Sequence, residues 1–156
     1  LLTSAALFTL SGVSQAHAGI KHRKVLKQLK AHAKQAGKRI NKEFGTKFRW
    51  SYDWKIVGEE VGNWNLTDDQ LKKMFDTMAV TPIETALKKL MQDEDYAAAI
   101  KDQVKTFKWV AEVSSSVSYS FDDGTVIMKG SLRPDYDQEK PHFASDLARV
   151  LENSLD

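Results

Sequence analysis

The sequence predicts an α+β domain: a small three-stranded antiparallel sheet, built from one long hairpin and one aromatic strand, packed against four or five helices. Three observations carry this expectation. Apolar residues recur at helical spacing through the basic stretch 20–44, two later stretches alternate apolar and polar residues with period two, and capped helical segments lie between and after them. With 156 residues and 42% apolar content, the chain has the length of one ordinary domain and the composition of one that folds.

Val25, Leu26, Leu29, Ala33, Ala36, Ile40 and Phe44 fall within an arc of about 100° on a helical wheel, with most of the Lys and Arg opposite. Gly45 is the expected stop, because glycine accepts the left-handed conformation that ends helices. Phe48, Trp50, Tyr52, Trp54 and Ile56 then alternate with Lys47, Arg49, Ser51, Asp53 and Lys55, the pattern of a half-buried strand that closes in the loop Gly58–Asn63.

Thr67-Asp68-Asp69-Gln70 is a capping box ahead of Leu71, Met74, Phe75 and Met78. A second helix is expected at Thr81-Pro82-Ile83-Glu84, with Thr81 as the cap and Pro82 in the first position, where its missing N–H costs nothing. Ile83, Leu87, Leu90 and Met91 form its apolar face. Asp93-Glu94-Asp95 is expected to cap a third piece carrying Tyr96, Ile100 and Val104.

From Phe107 to Phe121 the alternation continues unbroken, and Asp123-Gly124 is a type I′ hairpin signal. Folding there sets Phe121 opposite Val126, Tyr119 opposite Met128, Val117 opposite Gly130 and Ser115 opposite Leu132, with all apolar partners on one face. A single strand of that length is unusual, so a bend or bulge is expected at 114–116. After an acidic linker, 135–139, Pro141 opens a last helix with Phe143, Leu147, Val150 and Leu151 inward.

Residues 1–18 carry no charge and end in Ala16-His17-Ala18 after a short apolar run. This pattern predicts a secretory signal peptide, too short to span a membrane, followed by a single domain at 19–156 in the periplasm or cell exterior. The charge of the remainder is polarised. Residues 19–49 hold eleven Lys or Arg and one acid, whereas residues 50–156 hold 12 bases and 20 acids. Such a split suggests an anionic partner for the basic end, unless the acidic body itself neutralises it through acids such as Asp93, Glu94 and Asp95.

Catalytic signatures are missing. Without cysteine there is no disulfide, thiol nucleophile or thiolate metal site. No Gly-x-Ser-x-Gly elbow, phosphate loop or dinucleotide fingerprint occurs. His22 and His32 lie about 15 Å and 80° apart on the helix and cannot share one metal. The acidic run from Asp135 lacks the Gly and Glu that a calcium loop needs at its sixth and twelfth places. No metal and no cofactor are expected.

The sequence therefore points to a small exported, non-catalytic binding protein that meets an acidic protein, polysaccharide or anionic lipid surface through Lys24, Lys27, Lys30, Lys34, Lys38 and Lys42, with Trp54 and Trp64 as further candidate contacts. The stripe of aromatics with basic neighbours is also the composition of a base-stacking platform. A small domain needs those rings for its core, and an exported protein rarely meets nucleic acid. The alternative is a small periplasmic hydrolase using a carboxylate pair, with Glu59 and Glu60, in a Gly-flanked loop beside Trp64, as its acids.

Overall fold

A computed structural model describes residues 4–54, 67–112, 117–130 and 140–155, with 4–22, 111, 140 and 141 described through the backbone alone. The elements are α1 (Ser4–Phe44), β1 (Arg49–Tyr52), α2 (Asp68–Phe75), a π turn (Asp76–Val80), α3 (Thr81–Leu90), α4 (Glu94–Gln103), β2 (Thr106–Ala111), β3 (Ser118–Asp122), β4 (Thr125–Gly130) and α5 (Lys140–Ser154). The chain is α+β, as expected, but the sheet has four strands in the order β1-β2-β4-β3 and is mixed.

The expectation of a three-stranded antiparallel sheet is thus corrected. The hairpin β3–β4 is antiparallel in the expected register, with Phe121 opposite Val126 and Tyr119 opposite Met128. Asp123 and Gly124 both have positive φ, +42° and +74°, as a type I′ turn requires. The stretch 107–121, however, forms two strands rather than one. β2 pairs parallel to β4 on the side away from β3. β1 pairs parallel to β2. Two rows therefore cross all four strands on one face: Trp50–Phe107–Val126–Phe121 and Tyr52–Trp109–Met128–Tyr119. Val126 and Met128 receive aromatic neighbours from both sides, an arrangement in which period-two alternation is satisfied whichever way a strand runs. The bend expected at 114–116 lies outside the described residues, as does Leu132.

The helices cover that face. Val25, Leu29, Ala33, Ala36 and Ile40 of α1 are buried, which follows the apolar stripe read from sequence. The helix begins at Ser4, well before the expected start near residue 20. No described helix is long and apolar enough to cross a membrane. Gly45 terminates α1 at φ +63°, and Thr46 N–H donates to the Asn41 carbonyl at 3.0 Å, the wide bond of a Schellman ending. The capping box forms as expected: Gln70 N–H donates to Thr67 Oγ1, and Thr67 N–H donates to Gln70 Oε1. Asp93 caps α4 by accepting from the N–H groups of Asp95 and Tyr96.

Thr81 is not a cap. It is helical, and its N–H donates to the Asp76 carbonyl, so α2 and α3 continue into each other through the π turn. Pro82 supplies the reason. Its ring collides with the carbonyl four residues back and offers that carbonyl no N–H, which widens the ladder by one residue. The Met78 carbonyl faces the hydroxyl of Tyr119 at 3.5 Å. Among the described residues β1 spans Arg49–Tyr52, and Lys55 and Ile56 of the expected alternation lie outside them.

Candidate functional site

Helix α1 and strand β1 meet along a groove of about 580 Å³ lined by Lys30, Ala33, Lys34, Lys38 and Asn41 from the helix and by Phe48, Arg49, Trp50, Tyr52 and Trp54 from the strand. Two local features set its shape. At one end, Asn41 pins the start of β1: its Nδ2 donates to the Phe48 carbonyl at 3.0 Å, and its Oδ1 accepts from Phe48 N–H at 2.9 Å. In the middle, the Trp50 indole lies so close to Gly37 that a Cβ there would stand 2.7 Å from Trp50 Cδ1. Glycine in mid-helix is costly, and here the close approach of the ring requires it.

The aromatic stripe serves the core first. Trp50 stacks on Phe107, with centroids 5.0 Å apart and planes 14° from parallel. Trp54 stacks on Phe75, and Tyr52 packs against both Trp54 and Phe75. Burial pushes the Tyr52 hydroxyl well above its ordinary range, and the nearby Asp76 carboxylate adds to the shift, because each opposes the phenolate.

Charge is distributed unevenly around α1. On the flank facing α2 and α3, His32 Nε2 meets Asp76 at 2.6 Å, Arg39 pairs with Glu84, and Glu43 pairs with Lys88 at 3.4 Å. Paired to Glu84, the Arg39 guanidinium is held above its ordinary range, burial opposing the shift only in part. On the groove flank, Lys30, Lys34 and Lys38 are exposed, and among the described residues no carboxylate pairs with them or with Lys24, Lys27 or Lys42. Asp93 and Asp95 line a different cleft, of about 290 Å³, with Tyr96, Ala99 and Leu155.

The structure thus brings together three of the six sequence-predicted lysines, Lys30, Lys34 and Lys38, with Trp54. Lys24, Lys27 and Lys42 lie on the same helix but do not line the groove. Glu59, Glu60 and Trp64 lie outside the described residues. Sequence reasoning missed Arg49 and Asn41 as site residues. Arg49 was legible as the basic residue within the aromatic strand, whereas the part Asn41 plays depends on a tertiary contact. His32 forms a pair with Asp76 at the start of the π turn and an edge-on contact with Phe75. Among the described residues no cluster of His, Asp or Glu has the makings of a metal site. Comparison with protein-family models, curated proteins and solved structures gives no match, so the functional reading rests on this geometry.

Proposed function

We propose that this chain is a small exported, non-catalytic binding protein of the cell envelope that engages an acidic partner through the basic face of α1 and the groove beside it. One observation carries the reading. On one flank of α1, Arg39 and Glu43 are matched by opposite charges from α3 and His32 bonds Asp76, while six lysines elsewhere on the same helix have no carboxylate partner among the described residues. A solvated helix face usually mixes signs, gaining i,i+4 pairs; a run of like charge repels itself unless something anionic offsets it. The uncharged run of residues 1–18 ending in Ala16-His17-Ala18, which reads as an export signal, supports an envelope location for that partner.

The test uses a quadruple variant, Lys27, Lys30, Lys34 and Lys38→Gln, which keeps helix propensity while removing four charges. The wild-type protein is expected to be retained on immobilised polyglutamate, polygalacturonate or anionic phospholipid, and to be released as salt rises from about 50 to 500 mM, since screening lengths shrink over that range. The variant is expected to fold and to pass through unretained. Equal retention of both proteins would refute the proposal.

A further inference from the structure

We infer that the groove receives an extended acidic peptide segment, which adds as a fifth strand to the free edge of β1. This rests on the acidic-partner reading above and specifies its chemistry.

The edge is defined by hydrogen bonds. Arg49 N–H donates to the Lys105 carbonyl at 2.9 Å, and Asp53 N–H donates to the Trp109 carbonyl at 3.1 Å. In a strand, the main-chain groups of alternate residues point the same way. Arg49, Ser51 and Asp53 therefore turn theirs toward β2, while Phe48, Trp50 and Tyr52 turn theirs outward. Phe48 is already matched on that side: the Asn41 amide bonds both its N–H and its C=O, as a neighbouring strand would. Trp50 and Tyr52 continue the same edge, and among the described residues their main-chain groups have no hydrogen-bond partner. Two donors and two acceptors thus stand in a row along the wall of a groove with room for a short segment.

Charge selects the occupant. A strand laid beside β1 turns every second side chain toward the face on which α1 packs, where Lys30, Lys34 and Lys38 line the opposite wall. Its other side chains pass Arg49 on the exposed face. Carboxylates at alternate positions complement this lining. A second copy of β1 would bring lysine rows and Arg49 against their own kind. The rings of Trp50 and Trp54 are engaged with Phe107 and Phe75, which favours main-chain recognition over stacking on a sugar or base.

The probe is a fluorescein-labelled octapeptide alternating Glu with Val, titrated with the full chain and read by anisotropy. Two companion peptides carry Gln in place of Glu, or N-methyl groups on the alternate amides that would face β1. Binding of the Glu-Val peptide is expected to weaken at least tenfold with either companion, and at least tenfold with the Lys30, Lys34 and Lys38→Gln variant. The amides of Trp50 and Tyr52 should gain hydrogen-exchange protection when the Glu-Val peptide is bound. If the N-methylated peptide binds as tightly as the parent, the surface is purely electrostatic: strand addition is wrong, and the acidic-partner reading stands. If the full chain ignores the peptide but retains anionic vesicles or polygalacturonate, the occupant is not a peptide and the inference fails. If none of these polyanions binds, the acidic-partner reading fails with it.

Discussion

The two flanks of α1 have the same helical backbone and similar side chains but opposite surroundings. Toward α2 and α3, His32, Arg39 and Glu43 meet Asp76, Glu84 and Lys88. Toward β1, Lys30, Lys34 and Lys38 face an open groove beside a strand edge that no described residue pairs with. The first flank is held by local pairing within the domain. The second keeps its charge available, and the neighbouring Gly37 lets the Trp50 ring pack closely enough to define the groove wall. Charge density along the sequence therefore does not say which charges the fold pairs and which it leaves without a partner among the described residues.

The largest way to break this comparison is Gly37→Leu. Leucine is a far better helix former than glycine, so propensity alone would stabilise α1. The Trp50 ring occupies the space its side chain needs, and overpacking of this kind is expected to lower stability by about 1–3 kcal/mol in urea unfolding. A variant as stable as wild type would show that the groove wall yields easily.

Tyr52 offers a pH test on the same wall. Its hydroxyl is raised above the ordinary value by burial, with Asp76 contributing. Above about pH 10 the unfolded chain loses this proton and the folded chain keeps it, so stability falls as pH rises, by up to about 1.4 kcal/mol per unit. Tyr52→Phe removes that dependence. Unfolding midpoints at pH 9 and pH 11 for the two proteins should diverge only at the higher pH.

On the paired flank, Asp76→Asn is expected to cost about 1 kcal/mol, because the His32 bond is partly solvated. Thermal unfolding of this variant alongside His32→Ala and the double variant would show non-additive losses if the two side chains act as one contact. The smallest effect is expected on the groove flank. Changing Lys30, Lys34 and Lys38 to Gln should leave stability within about 0.5 kcal/mol of wild type, with a slight gain at low salt as repulsion is relieved. A clear loss of stability at low salt would mean that these lysines are bound within the domain.

Much of the local structure was legible in the sequence because local chemistry decides it. The Gly45 stop, the Thr67–Gln70 box, the Asp93 cap and the Asp123-Gly124 turn each depend on residues within a few positions of one another. The register of β3 against β4 followed for the same reason, since a two-residue turn with both φ positive leaves one alignment that keeps the apolar residues together. Thr81 shows where local reading stops. Thr-Pro-x-Glu is a fair helix start by itself, but the preceding helix runs into it and Pro82 is absorbed by a π turn.

The sequence by itself determined which residues share a face and which arc of α1 is basic, because periods of 2 and 3.6 are properties of the local backbone. Only the tertiary structure decided that β4 inserts between β2 and β3, that β1 lies parallel at the edge, and that Lys30, Lys34 and Lys38 line the groove while Lys24, Lys27 and Lys42 do not. Alternation is unchanged when a strand is reversed, so Phe107 and Trp109 match Val126 and Met128 in either direction. The direction is decided by which strand β2 pairs with: it lies parallel beside β4, not beside β3, its neighbour in sequence. With Ala33, Ala36 and Ile40 of α1 buried, Lys30, Lys34 and Lys38 come to line the groove beside β1, a contact between residues far apart in sequence that no local period encodes.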